Sequence, residues 1–345
     1  MDFFLGVDHM TYSTDKPFTS LDAQLKMLKN RGMKIDNTDY ARQVLLNNNY
    51  YSVINGYKDP FLRKDGAGEA LKPEMFIHKT TFSDVYTLYG FDRDLRNIVL
   101  NYLLIFESRL KSIISYEFAQ KFPDPYSYLN IVNYSNDIGD LSNVLKNLKN
   151  LSLKLNRGRN ERYGKPSIIH YVQQHTHVPL WVLVNTLTFG EIQYLYDSLD
   201  QNLKEKVARD FSEYYKLHWK SSEKIDTGEL KSLIIVANLF RNVCAHDERF
   251  YNYSLRTKIP KSLFSKYYMN NPMFDDLEKP VDLFALISLL ALVLTRKQFK
   301  AMTYSINSLI EKSNYKLKSI GIGKVLDLMG FPEIQWREKI QVKSD

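Results

Sequence analysis

Residues 228–252 read GELKSLIIVANLFRNVCAHDERFYN. Set on a helical wheel at about 100° per residue with Asn238 as zero, Arg241, Asn242, Ala245, Arg249 and Asn252 fall within about 60° of one line, and His246 about 80° from it. Leu233, Val236, Ala237, Phe240, Val243 and Cys244 fall on the opposite side. This division predicts an amphipathic helix that starts near Gly228, buries an aliphatic stripe and turns a polar face outward.

The rest of the chain agrees with a helical fold. Of its 345 residues 44% are apolar, enough for a real core and too many for global disorder. Its 14 glycines and 11 prolines punctuate long stretches of mixed Leu, Ile, Lys, Asn and Tyr. Short alternating segments, as a sandwich or barrel would need, are missing, so the fold class expected is all-α. The single cysteine, Cys244, rules out an intramolecular disulfide, and no Cys/His set offers a structural zinc site. A reducing cytoplasm is the expected location. The first residues lack the basic and apolar regions of a secretory signal. The longest apolar run, Leu283 to Leu294, is far short of the roughly 20 residues needed to span a bilayer and is expected to be a core helix. A formal charge of +8 suggests a polyanionic partner.

Along the chain, Lys16-Pro17-Phe18-Thr19-Ser20 opens a first helix with Thr19 or Ser20 as cap, and Gly32 ends it. A second helix covers Asp39 to Asn49, followed by an aromatic junction to Tyr57 and a glycine-bearing loop from Arg63 to Pro73. From Ser83 to Phe122 apolar positions keep a 3.6-residue rhythm, so a broken or very long helix is expected, stopped by Pro123-Asp124-Pro125. Asn143 to Lys165 carries Lys146, Lys149, Lys154, Arg157, Arg159, Arg162 and Lys165 against one acid, Glu161, with a loop-like end at Gly158 and Gly164. Ile259-Pro260 closes the region that follows the 228–252 helix, and helical segments complete the chain.

The polar face offers a cation, an amide and an imidazole. Arginine presents a fork that matches phosphate, and histidine exchanges protons near neutral pH. These groups suit metal-independent RNA cleavage, in which a base takes the 2'-OH proton, the oxygen attacks phosphorus and an acid protonates the departing 5'-oxygen. In that reading His246 is base or acid, Arg241 with Arg249 stabilises the charge, and Asn242 orients the histidine or holds a phosphate oxygen. The alternative is structural: Arg241 pairs with Asp247, Glu248 or Glu107, and His246 satisfies a carbonyl or an aromatic neighbour. Spacing leaves both open. Glu107 and Lys111, at i,i+4, read most simply as a pair on a helix surface. His170, His175 and His177 have neither a cysteine nor a carboxylate in their segment to complete a metal site, so no metal and no cofactor are expected. Cys244 reads as a buried structural thiol, and the tyrosine pairs 50–51 and 214–215 as packing groups. No Walker loop, GxGxxG or nucleophile elbow occurs.

The run Arg241-Asn242-x-Cys244-Ala245-His246-x-x-Arg249-x-Tyr251-Asn252 resembles the R-x4-H signature of HEPN ribonucleases, in the extended form of AbiD/AbiF-type abortive-infection proteins. The Lys16-Pro17-Phe18 opening, Tyr50-Tyr51 to Gly56-Tyr57, Phe91-Asp92-Arg93-Asp94-Leu95-Arg96 leading to Glu107-Ser108-Arg109-Leu110-Lys111, Pro179-Leu180-Trp181 with Phe189-Gly190, and Met329-Gly330-Phe331-Pro332 follow that family's order. The resemblance implies a HEPN helical core, RNA as substrate, no metal, and a homodimer whose two Arg/His sets line one cleft, acting in phage defence or as a toxin. It implies Arg241, His246 and Asn242 as the catalytic set, with Glu107 fixing Arg241, Arg249 and Asn252 in support, and the basic segment as an RNA contact. Tyr253 departs from it, since a basic residue is more usual there. No second R-x4-H occurs, so a composite site needs a second copy.

The organisation expected is an N-terminal helical region over 1–80, a HEPN-like core over 81–260 with a basic insertion near 140–165, and C-terminal helices over 261–345. A different class of function is a noncatalytic RNA-binding or adaptor protein that holds a structured small RNA. The inhibitor expected is a small noncoding RNA or a nucleotidyltransferase-like antitoxin. No membrane partner is expected.

Overall fold

The computed structural model describes residues 18–160, 162–256, 259, 262–268, 280–332, 335–340 and 342–343; Lys16, Pro17, Glu161 and Pro260 lie outside them. The fold is all-α: among the described residues every extended element is a helix, and other backbone pairing is confined to isolated bridges such as Leu62 with Phe76.

Residues up to Tyr89, with Leu317–Ile320, form one compact unit. Its α1 (Leu21–Asn30) starts where Ser20 Oγ accepts the Ala23 N–H at 3.3 Å, and it buries Leu25 and Leu28. It stops as expected at Gly32, whose φ of +89° is open to a residue without a Cβ. Asn37 caps α2 (Thr38–Asn48), which buries Ala41, Val44 and Leu45. The aromatic junction is a π turn, Tyr51–Asn55, with Val53 and Ile54 buried and Tyr51 exposed. Thr81 and Asp84 then exchange hydrogen bonds in a reciprocal cap and start α3 (Phe82–Lys121). Burial alone would raise the Asp84 carboxyl, but hydrogen bonds from the Lys318 N–H, from Thr81 and from Ser319 hold it below the usual value. Those bonds tie the 317–320 segment into this unit.

α3 is one unbroken helix of 40 residues, so the rhythm from Ser83 to Phe122 describes a single long element. Its residues from Gly90 onward belong to a second unit, which also holds α4 (Leu141–Gly158), α5 (Pro166–Gln174), α6 (Leu180–Leu183), α7 (Phe189–Ser198), α8 (Gln201–Trp219), α9 (Thr227–Ala245), α10 (Ser262–Ser265), α11 (Leu283–Leu290), α12 (Arg296–Asn314), α13 (Ile322–Met329) and α14 (Trp336–Lys339). Phe106 of α3 meets Phe189 of α7 and Phe211 of α8, each with ring centres 5.8 Å apart. α9 packs against α7, α8 and α11. The aliphatic run is core throughout: Leu283 and Phe284 and every residue from Leu286 to Leu294 are buried, each large side chain contributing roughly 1.5–3 kcal/mol. No helix among the described residues is long and apolar enough to cross a membrane.

Candidate functional site

α9 starts with a reciprocal cap. Asp226 accepts the Glu229 N–H at 2.8 Å, and the Glu229 carboxylate accepts the Asp226 N–H at 3.1 Å. Glu229, almost wholly buried, also accepts from Tyr267 Oη at 2.7 Å and from Lys266 Nζ at 3.1 Å. The helix is therefore fixed at its N-terminus, and Leu233, Val236, Ala237, Phe240, Val243 and Cys244 are buried as the wheel requires. Burial pushes the Cys244 thiol up to about 12, against the opposing pull of Arg96, which suits a structural group and not a nucleophile.

The polar face is shorter than the sequence suggested. α9 ends at Ala245, with His246 as its C-cap and Asp247 in the left-handed region at φ +57°. Glu248 N–H reaches back to the Val243 carbonyl at 3.2 Å, closing the end as a Schellman turn. Arg249 and Asn252 thus leave the helical face on which the wheel placed them. Arg249 is half-buried in the following turn, and Asn252 borders a groove with Ser254, Asp282 and Asp327. Tyr253 packs edge-on against Phe240 at 5.1 Å, so the position where a base was expected serves the core.

The turn that carries His246 is held from α3. Arg96 donates to the Glu248 carbonyl at 2.8 Å, to Asp92 at 3.0 Å and to the Asp247 carboxylate. Asp92 accepts the N–H groups of Phe250 at 3.0 Å and Tyr251 at 2.6 Å. Both side chains are buried, and together they satisfy the backbone just beyond the helix end. His246 itself is exposed and its backbone N–H bonds to the Asn242 carbonyl at 3.0 Å.

Arg241 is anchored on α3. Its Nε lies 3.6 Å from Glu107 Oε2, too long for a hydrogen bond, and both atoms are buried without a hydrogen-bond partner. The other carboxylate oxygen of Glu107 takes a 2.6 Å bond from Lys111 Nζ, which also donates to the Leu187 carbonyl at 2.6 Å. The Glu107–Lys111 pair is consequently buried, which corrects its reading as a helix-surface pair, and Glu107 faces Arg241 as well. One carboxylate serves two cations here, and it is closer to Lys111. Arg241 is left incompletely neutralised with about a quarter of its side chain exposed.

Neighbouring contacts complete the frame. Asn238 donates to Gln193 Oε1 at 3.0 Å, and Gly190 of α7 lies against the Asn238 amide, where an added Cβ would sit 3.6 Å from its nitrogen. The basic segment stands elsewhere. It is helical to Gly158 as α4, which packs against α7, and α7 packs in turn against α9. Lys154 pairs with Glu191 at 3.0 Å, and Lys146 lies over the Tyr194 ring at 4.6 Å and donates to its hydroxyl at 3.0 Å. Arg159 donates to Asn156, Arg162 lies against Tyr163, and Lys149 and Arg157 are exposed. His170 and His175 meet ring edge to face at 5.4 Å, whereas His177 sits by Tyr126. Among the described residues no group of three His, Cys, Asp or Glu is placed to hold a metal ion.

Asp92 and Arg96 hold the turn that carries His246, a role that the sequence alone did not assign to them. They stand in the quoted Phe91-Asp92-Arg93-Asp94-Leu95-Arg96 run, and two ionic residues four apart on an otherwise core-facing helix stripe were the signal available. A comparison with known families matches residues 43–252, from α2 through the turn after α9, to the family described as Abi-like protein. No curated protein and no solved structure matches the chain.

Proposed function

The chain belongs to the Abi-like protein family, and from that premise we propose that it is a metal-independent endoribonuclease of the HEPN kind, acting in abortive infection of phage-infected cells or as a toxin. The observation that carries this reading is the incompletely neutralised Arg241, held at 3.6 Å by a Glu107 that Lys111 already engages, on the helix whose end presents His246. A fixed cation with unspent charge favours a phosphodiester at the moment negative charge grows on phosphorus. His246 takes the 2'-OH proton or delivers a proton to the 5'-oxygen. The 2'-oxygen forms the new bond to phosphorus as the P–O5' bond breaks, giving a 2',3'-cyclic phosphate and a 5'-hydroxyl. Asn242, one residue from Arg241, holds a phosphate oxygen or orients the imidazole.

A chain with one R-x4-H contributes one histidine, while the reaction moves two protons. A homodimer that brings two His246 residues to one cleft supplies both, so the working form proposed is a dimer, restrained by a small RNA or a protein inhibitor until infection. Purified protein incubated with RNA in EDTA is expected to yield cyclic phosphate ends, and neither His246→Ala nor Arg241→Ala should do so. Cleavage that survives both substitutions sinks the site assignment. Salt-sensitive binding without cleavage of any RNA offered would point instead to a noncatalytic adaptor.

A further inference from the structure

A second constellation lies in the same unit where α5 and α6 meet. Trp181 is 52% exposed, whereas the other two tryptophans, Trp219 at 8% and Trp336 at 0%, are buried. It stands on the border of two recesses. One is a groove of about 580 Å³ lined by Tyr171, Gln173, Gln174, His175 and His177 beside Trp181, with no carboxylate. The other, about 130 Å³, is walled by Phe118, Phe122 and Tyr126, shares His177 and Trp181 with the first, and has Asp124 at its border. Tyr126 sits in the left-handed region at φ +58°, a conformation that a bulky residue keeps only where its surroundings enforce it. Its ring meets His177 nearly at right angles at 6.0 Å, and Tyr171 lies 4.7 Å from His175. The Tyr128 hydroxyl donates to the Val178 carbonyl at 2.8 Å, which pins the loop leading to Trp181. The basic helix α4, with Lys146, Lys149, Lys154 and Arg157, packs against both α5 and α6, and from Asn143 to Trp181 the chain has seven lysines and arginines and one acid.

We propose that this face is a stacking platform for unpaired bases of single-stranded RNA, with Trp181 as the principal surface and Tyr126 and Tyr171 beside it. Every base offers a π-face to an exposed aromatic ring, and a cation-rich approach favours the phosphate chain that carries those bases. The amides of Gln173 and Gln174 supply both donors and acceptors for base edges, and Asp124 can accept from an exocyclic amine. A protein partner of matching apolar character fits less well, because imidazoles and amides interrupt the aromatic surface. The platform rests on the reading of RNA as substrate and adds to it a base-binding subsite distinct from the α9 groups.

The full-length His246→Ala protein, titrated with a short single-stranded RNA and with a duplex of the same sequence, tests this through tryptophan emission. Because Trp219 and Trp336 are buried, quenching reports on Trp181. Saturable quenching by the single strand and little by the duplex is expected, and Trp181→Ala should weaken single-strand binding about tenfold or more. Tyr126→Gly relieves the left-handed backbone, so it should keep or raise the melting temperature while weakening binding severalfold. Unchanged single-strand affinity in both variants overturns the platform, as does a saturated complex with unquenched emission. A Trp181→Ala effect on self-association, with RNA binding intact, would assign the face to a protein contact and refute the proposal. The two readings fail differently once the parent protein is assayed for cleavage beside the titration: RNA cut normally by the parent with Trp181 silent removes the platform alone, whereas no binding by the variant and no cleavage by the parent removes both.

Discussion

Two cationic regions of the second unit differ in how their charge is held. α4 and the loop after it carry most of the excess positive charge, yet Lys154 is paired with Glu191, Lys146 lies on Tyr194, and Lys149 and Arg157 extend into solvent. Toward the end of α9 there are fewer charges, and they are fixed in place: the buried Glu107 carboxylate faces both the buried Lys111 and Arg241, about a quarter of whose side chain is exposed. Solvated charge attracts a polyanion from a distance and is screened by salt; placed charge acts on one bond. Under the function proposed, the exposed lysines and arginines of α4 would draw RNA to the molecule, and the placement of Arg241 would decide where it is cut.

The sharpest way to break this contrast is to remove His246, the proton carrier proposed. His246→Ala should lower the cleavage rate by about 10²–10⁴-fold with little change in RNA affinity, as loss of a general acid or base does. A rate within a few fold of the parent would move the chemistry elsewhere. The next effect falls on the buried network. Glu107→Ala leaves Lys111 with the Leu187 carbonyl and no carboxylate, at a cost of about 3–5 kcal/mol, read as a lowered melting temperature, while Glu107→Gln should lose less. Equal stability of Glu107→Ala and parent would mean that Lys111 regains solvent or another partner once the carboxylate is gone.

Asp92→Asn acts on the turn and not on the reacting groups. Amide exchange at Phe250 and Tyr251 should speed up while the middle of α9 stays protected, because the carboxylate that accepts both N–H groups is lost. Faster exchange along the whole helix would show that Asp92 supports the fold at large. The smallest effect belongs to the basic helix. Lys149→Ala with Arg157→Ala should reduce the slope of log affinity against log salt by about one to two. An unchanged slope would take α4 out of the RNA path.

Much of the fold was legible because local rules and tertiary structure agree. Ser20 and Gly32 bracket α1, the rhythm from Ser83 predicts α3, and the aliphatic stripe of α9 is buried residue for residue. The end of α9 was not legible: no glycine or proline marks it, and an aspartate, Asp247, takes the left-handed position. A wheel carried past that residue put Arg249 and Asn252 on a face that does not exist. Glu107 and Lys111 show a different limit, since an i,i+4 pair has the same spacing whether solvent or another helix covers it. The clamp from Asp92 and Arg96 to residues 247–251 joins positions some 150 apart in the chain, beyond the reach of any local pattern. The family pattern did bring Arg241 and Glu107 into one reading, and the ion pair between them is present.

The most direct measurement is a side-by-side determination of kcat and KM in EDTA for Arg241→Ala and for the Lys149→Ala, Arg157→Ala double variant. Arg241→Ala is expected to lose kcat by about 10²-fold or more, as removal of a transition-state charge contact does, while the double variant raises KM and leaves kcat within about twofold. The reverse pattern, with kcat surviving in Arg241→Ala and collapsing in the α4 variant, would contradict the site proposed.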